Sequence, residues 1–468
     1  MTPTTLVIFG GTGDLAERKI FPALFNLLRG NMLPGNFRVV GVSRKGKSDE
    51  EYRKFVREAI EKKNRASGGK KLKDFLESVF YLSGDFQDSE SYKKISENLV
   101  ESDRKFGQCS NKLLYLAVTP ELYDPIFQNL SNSELSVPCS DESGRQLGEP
   151  RQLAGWTRIL VEKPFGNDLA TAKKLENKLS LLFQENQIFR IDHYLAKETL
   201  QNILAFRFSN ALFEPLWNRD YIKRIDIKLL EKEGISNRGA FYDGVGALRD
   251  VGQNHILQML AFVAMEDPKT LVADTIRQNR SRVFSVLRPL DATSIKRLVS
   301  RGQYSGYLKE KNVSANSQTE TYFKAGVYID NNRWQGVPFV LESGKKMPEN
   351  LVEIKIYFKE TDSCLCPPEQ ESHHQNTLTF HIQPKEGISV LFWSKIPGFK
   401  MELEPRELSF AYSGPKGANK LPDAYERVLY DCIQGDQTLF SSSEEIEASW
   451  KFITSILDNW QTLPLEIY

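Results

Sequence analysis

Leu6, Val7, Ile8 and Phe9 form a wholly apolar run that stops at Gly10, Gly11, Thr12 and Gly13. A strand buried on both faces reads this way, because it has no wet side on which polar residues could alternate. Across residues 14–29, Leu15, Ile20, Leu24, Leu27 and Leu28 recur at helical spacing, and residues 37–42 are the next strand candidate. Strand, glycine turn, helix and strand in about 40 residues make one βαβ unit. A helix over residues 49–62 and apolar strands at 113–118 and 159–161 extend the series. Residues 1–190 are therefore expected to form a dinucleotide-binding, doubly wound α/β domain of Rossmann type.

Beyond residue 210 the period changes. Residues 222–230, 351–358 and 377–383 alternate in part as strands, and helical patterns recur at 246–265 and 444–459. This predicts that residues 191–468 form a larger α+β domain, a mostly antiparallel sheet with helices on one face. Residues 62–73 and 131–155 lack a period and read as solvated connections.

Composition narrows the partners. A chain of 468 residues exceeds what one core serves, so two or three domains are the prior. Charged residues make up 26%, but 62 basic side chains face 61 acidic ones, which leaves no bulk field for nucleic acid or an anionic membrane. Any anion must be held by a few placed groups. No apolar run approaches the roughly 18 residues of a membrane span, and the start lacks a secretory signal. Five cysteines are too few and too odd for a disulfide framework, which predicts a cytoplasmic protein.

Gly10, Gly11, Thr12, Gly13, Asp14, Leu15 and Ala16 stand where a dinucleotide fingerprint belongs. Glycines let the backbone approach a pyrophosphate, and the helix that follows offers free N–H groups. The second strand ends in Ser43, Arg44 and Lys45 with no acid before Asp49. An arginine there suits the extra phosphate of NADP, whereas an acid would suit NAD. Lys163, in the run Glu162–Lys163–Pro164–Phe165–Gly166, follows another strand and points into the same crevice; Pro164 is a candidate cis residue.

Residues 190–198 pack Asp192, His193, Tyr194, Lys197 and Glu198 together. If a helix begins near Asp192, His193 and Lys197 share a face, and a phosphate at that end takes donors from both and from Tyr194. Downstream, Asp250, Asn254 and His255 lie on the expected helix. A histidine is the natural general base near neutrality, and a buried carboxylate such as Asp192 would orient it.

These motifs, in order, carry a resemblance. The GGTGDLA opening with Arg18 and Lys19, EKPFG, RIDHYLAKE and ALRDVGQNHILQML from Ala247 are similar to the glucose-6-phosphate dehydrogenase family. So are Gly302–Gln303–Tyr304, TETYFKAGVYIDNNRWQGVPF from Thr319, and PDAYER from Pro422. The resemblance implies oxidation of glucose 6-phosphate at C1 to 6-phosphogluconolactone with hydride transfer to NADP, the first step of the pentose phosphate pathway. It implies coenzyme contacts at Thr12, Lys19, Arg44 and Lys163, with Lys163 also touching substrate. It implies phosphate contacts at His193, Tyr194 and Lys197, sugar contacts at Glu231, Asp250 and Lys345, and His255 as general base with Asp192 as its partner. It implies no metal, and a homodimer or homotetramer formed through the large sheet domain.

Three positions depart from the family pattern. Ala196 replaces a glycine, which strains the turn if positive φ is required and is harmless if the residue is helical. Glu342 stands where a basic residue is common, and Asn350 near another. Rival readings are an oxidoreductase of an unphosphorylated sugar and a catalytically silent regulatory homologue. His193 with Lys197 argues against the first, His255 with Asp192 against the second. Cys364, Cys366, His373 and His374 raise a zinc site, but C-x-C spacing is poor for structural zinc.

Overall fold

The computed structural model describes residues 2–63, 69–138, 155–360, 374–412 and 421–468. The chain divides into two compact units. Unit 1 comprises Met1–Phe165, Lys173–His193 and Pro422–Ser443; unit 2 comprises Gly166–Ala172, Tyr194–Leu421 and Glu444–Tyr468. Unit 1 thus includes a late segment, Pro422–Ser443, that a single cut after residue 190 assigns to the other domain.

Unit 1 is built on β1 (Thr4–Phe9), β2 (Phe37–Ser43), β3 (Val79–Ser83), β4 (Asn111–Leu116), β5 (Thr157–Glu162) and β6 (Ile188–Ile191). They are parallel and lie side by side in the order 3-2-1-4-5-6, the Rossmann arrangement. All six residues of β1 are buried, as its unbroken apolar run requires. The order reverses between β1 and β4, so ligand space opens at the carboxyl ends of these strands. A short seventh strand, Phe440–Ser441, pairs antiparallel with β6 and comes from the late segment. Buried Arg190 holds that junction, meeting Glu176 at 2.5 Å, Glu185 at 2.9 Å and the Ser441 carbonyl at 3.4 Å.

Three expectations are corrected. The first helix is not uniformly α: Ala16–Ile20 is a π-helical turn, with the Phe21 N–H reaching back to the Ala16 carbonyl, before the α-helix Phe21–Arg29. Pro22 sits in its first turn, where a missing N–H costs nothing. Lys70–Glu77, read as part of a connection, is a helix that buries Leu72, Phe75 and Leu76. Cys432 is a buried free thiol, but Cys109 is disulfide-bonded, contrary to the expectation from cysteine number.

Unit 2 carries a nine-stranded sheet. Its strands are β7 (Ile222–Leu230), β8 (Val299–Gln303), β9 (Tyr322–Val327), β10 (Phe339–Gly344), β11 (Leu351–Phe358), β12 (Thr377–Gln383), β13 (Gly387–Lys395), β14 (Leu403–Ala411) and the short strand Leu465–Ile467. The order is β14-β13-β12-β11-β7-β10-β9-β8 and then Leu465–Ile467. Pairing is antiparallel except between β7 and β10 and between β8 and the last strand. In β11, Val352, Ile354 and Ile356 are buried and alternate with partly exposed Glu353, Lys355 and Tyr357, the signature of a half-wet sheet. The helix Glu198–Phe208 lies against β12, and the helical stretch Leu248–Ile256 against β10 and β7.

Candidate active site

In unit 1 the glycine turn leaves β1 with Gly10 at φ +88°, and a side chain there would overlap the carbonyl oxygen of Ala117 just past β4. A Cβ on Gly11 would come within 2.7 Å of the Tyr52 hydroxyl and 2.8 Å of the Gly41 backbone. Positions that admit no side chain next to a helix start suit a dinucleotide pyrophosphate. Glu17 N–H already bonds the Gly13 carbonyl, so the helix begins directly after the turn. Thr12 places its hydroxyl 2.9 Å from that of Ser43 at the end of β2, which links the turn to the second strand. Arg44 and Lys45 follow Ser43 and are exposed. Asp14 pairs with Arg18 at 2.7 Å on the surface. Leu15 leads into the π-helical turn.

Lys163 follows β5, and the Lys163–Pro164 peptide is cis, as the sequence allowed. Behind it the Glu162 carboxyl accepts a 2.6 Å hydrogen bond from Tyr115. Burial pushes that carboxyl up to about 7; the Tyr115 and Tyr425 hydroxyls and the Lys163 charge oppose the rise, and Asp192 adds to it. Tyr425, from the late segment, also stacks on His193 with centroids 6.1 Å apart and lies 5.7 Å from the Lys19 ammonium. Its neighbour Asp423 caps the helix Ala424–Gln434 and faces Lys63 at 3.0 Å and Lys19 at 3.9 Å. The sequence had marked PDAYER as a family motif without giving Asp423 or Tyr425 a task. Capping chemistry at Asp423 was the readable signal; nothing local marked Tyr425.

Asp192 directly follows β6, buried, in unit 1. No helix begins there, which corrects the expected geometry of the phosphate motif. Residues 193–196 form turns, Lys197 is the N-cap with φ −75° and ψ 133°, and the helix is Glu198–Phe208. His193 and Lys197 therefore do not share a helical face, and the motif divides, His193 belonging to unit 1 and Tyr194 onward to unit 2.

In unit 2, Tyr194 packs against His255 with ring centroids 4.2 Å apart and the rings tilted by 31°, and the Lys197 ammonium lies 4.5 Å from the Tyr194 ring. The expected α-helix over residues 246–265 is instead π-helical from Leu248 to Ile256 and α-helical from Leu257 to Ala264. Asn254 supplies a reason for the wider turn: its amide donates to the Asp250 carbonyl at 3.0 Å, and its oxygen accepts the His255 N–H at 2.7 Å. Side-chain bonds thus replace ladder bonds. A π-turn brings Asp250 and His255, five residues apart, to roughly one side, where an α-helix would splay them. Glu320, which the sequence did not single out, is buried and accepts the Leu248 N–H at the start of this stretch and the Trp460 indole N–H, both at 3.1 Å. Lys345 is buried at the end of β10 and pairs with Glu231 at 2.5 Å. Asp250 faces Arg238 at 3.7 Å.

The departures resolve in part. Ala196 is not among the residues with positive φ, so alanine carries no left-handed strain. Glu342 accepts from the Tyr322 hydroxyl at 2.9 Å and lies in register between Lys324 of β9 and Lys228 of β7, which gives its charge company. Asn350 accepts the Lys232 N–H at 2.7 Å. Cys364, Cys366 and His373 lie outside the described residues, while His374 packs on Trp393 with centroids 4.0 Å apart. Among the described residues, no helix is long and apolar enough to cross a membrane.

Comparison with known proteins covers nearly the whole chain. Residues 7–202 match the family model for the glucose-6-phosphate dehydrogenase NAD binding domain, and residues 204–468 match that for its C-terminal domain. The glucose-6-phosphate 1-dehydrogenase of Chlamydia muridarum is 38% identical over 481 residues, covering 98% of this chain and 91% of the relative. That of Aggregatibacter actinomycetemcomitans is 40% identical, covering 97% and 90%. A solved glucose-6-phosphate dehydrogenase in complex with its substrate glucose-6-phosphate superposes with a TM-score of 0.89 at 32% identity, covering 100% of this chain and 94% of that one. A levoglucosan dehydrogenase reaches only 0.54 at 10% identity and shares the fold alone.

Proposed function

The chain belongs to the glucose-6-phosphate dehydrogenase family, and on that premise we propose that it oxidises glucose 6-phosphate at C1 to 6-phospho-glucono-1,5-lactone with NADP as preferred acceptor. The observation that carries the reading is the contact of Tyr194 with both the Lys197 ammonium and the His255 ring in unit 2. It sets a cation and a phenol, both suited to a phosphate, beside a buried imidazole suited to act as base.

In this reading His193, Tyr194 and Lys197 hold the sugar phosphate, and Glu231, Asp250 and Lys345 orient the sugar hydroxyls. His255 takes the proton from the C1 hydroxyl as hydride leaves C1, and Asp192 stabilises the imidazolium so formed. NADP, when bound, supplies the redox chemistry by accepting that hydride at its nicotinamide. Gly10, Gly11 and Gly13 give the pyrophosphate close backbone approach, Thr12, Lys19 and Lys163 add polar contacts, and Arg44 takes the extra phosphate. Exposed Arg44 at the carboxyl end of β2, with no acid beside it, supports NADP over NAD. The reaction opens the pentose phosphate pathway, which fits a cytoplasmic homodimer or homotetramer paired through the large sheet.

The test is the initial rate of reduced-coenzyme formation with glucose 6-phosphate and with glucose, each with NADP and NAD. Turnover confined to the phosphorylated sugar and faster with NADP is the expected result. Turnover with glucose, or none from folded protein that still binds coenzyme, overturns it.

A further inference from the structure

Two tyrosines outside every assigned role stand behind the dinucleotide turn. Tyr52, on the helix Asp49–Lys63, and Tyr81, on β3, are both buried, and their rings pack with centroids 4.8 Å apart. Their hydroxyls diverge. Tyr52 donates to the Gly11 carbonyl at 3.0 Å and fills the space that a side chain on Gly41 would need. Tyr81 donates to the Lys45 carbonyl, lies 3.2 Å from the Ser43 carbonyl, and is 2.8 Å from the Ser43 hydroxyl. That hydroxyl continues to Thr12 at 2.9 Å. Tyr81 also gives its backbone N–H to Asp49 at 2.7 Å. Tyr81 therefore grips residues 43–49 at three points, on both sides of exposed Arg44. Burial raises the pKa of both phenols, which keeps them as donors across the working range.

We propose that these tyrosines divide the shaping of the coenzyme site: Tyr52 is the positioning residue for the glycine turn, and Tyr81 for the Arg44 loop. Every nicotinamide dinucleotide presents a pyrophosphate to the glycine turn, but only NADP presents a phosphate to Arg44. Support at Tyr52 is thus common to both coenzymes, and support at Tyr81 is selective. An arginine on a slack loop pays ordering entropy on binding, and a hydroxyl that fixes its neighbours removes part of that cost. This inference rests on the reading of Arg44 as the phosphate ligand.

The experiment measures coenzyme dissociation constants by tryptophan fluorescence, and kcat and KM with NADP and NAD, for Y52F, Y81F, S43A and R44A. Phenylalanine keeps each ring in the core, so only the hydroxyl is removed. Loss of one buried neutral hydrogen bond predicts that Y81F weakens NADP about fivefold and leaves NAD and kcat unchanged. S43A should follow Y81F in the same direction, and Y52F should weaken both coenzymes alike. If Y81F weakens NAD and NADP equally or neither, or Y52F discriminates between them, the division is overturned. R44A separates the two levels: equal loss of both coenzymes there sinks the reading of the loop itself, whereas selective loss with an indifferent Y81F sinks only the role of Tyr81.

Discussion

At residues 10–13 the chain makes its turn by leaving side chains out. Gly10 occupies positive φ against the Ala117 carbonyl, and Gly11 is pressed between Tyr52 and Gly41. At residues 193–197 the chain turns with side chains in place: none of these residues has positive φ, and His193, Tyr194 and Lys197 rest on Tyr425, His255 and one another. In the proposed reading, one turn would meet its anion with backbone and the other with rings and charges fixed by residues far along the chain. A backbone requirement leaves its mark locally, as glycine. A packing requirement is written in the partner, which is 232 residues away for Tyr425 with His193 and 61 for His255 with Tyr194.

The sharpest test of that contrast is H255A. Where side chains do the chemistry, removing one should cost turnover and leave the framework intact. Loss of the general base proposed at His255 predicts a fall in kcat of about 10³-fold, with coenzyme binding unchanged. A fall below tenfold would mean that another group takes the proton. G10A probes the other turn and should do the reverse. Left-handed alanine costs about 1–2 kcal/mol, and displacing the Ala117 carbonyl adds to it. The expected result is a lower unfolding midpoint and weaker binding of NAD and NADP in equal measure. Unaltered binding of both would show that the turn does not need its bare backbone.

The same contrast explains what could be read beforehand. β7, β11 and β12 were legible to the residue, because apolar residues recur at every second position along much of each, and in β11 that alternation carries through to burial. The glycine turn and the Arg44 position were legible from local chemistry. The π-helical stretch from Leu248 was not, since its cause, the two-sided grip of Asn254 on Asp250 and His255, looks like any helical asparagine in sequence. Nor was the start of the helix at Glu198, because Lys197 caps it with no side-chain bond and Asp192 offered the better local signal. The return of Pro422–Ser443 to unit 1 rests on Arg190, Arg158 and Gln437 donating to backbone carbonyls across the junction, a pattern with no local period.

Glu162 lies between the two cases, a side chain enclosed beside a backbone-built crevice. Burial lifts its carboxyl from 4.5 to about 7. The folded protein then holds a proton that the unfolded chain releases near its ordinary pKa, so the associated stability is present below about pH 4.5 and is lost as pH rises through 7. E162Q keeps an acceptor for Tyr115 and cannot ionise. It should therefore lose less stability than the parent between pH 5 and 8, by about 2 kcal/mol. Denaturant melts at several pH values check this, and parallel slopes for parent and variant would place the ionised carboxylate comfortably inside the protein.

The smallest expected effect is the most pointed. If the turn at 193–197 worked as the glycine turn does, A196G would relieve it and tighten the sugar phosphate. Ala196 is buried without positive φ, and its carbonyl accepts from the Gln201 amide at 3.1 Å. Glycine there gains no permitted conformation and enlarges the unfolded ensemble, which costs about 0.5–1 kcal/mol. A196G should lower the unfolding midpoint slightly and leave KM for glucose 6-phosphate unchanged. A drop in KM would mean that this turn, too, wants to bend where only glycine bends freely, and that alanine holds it back.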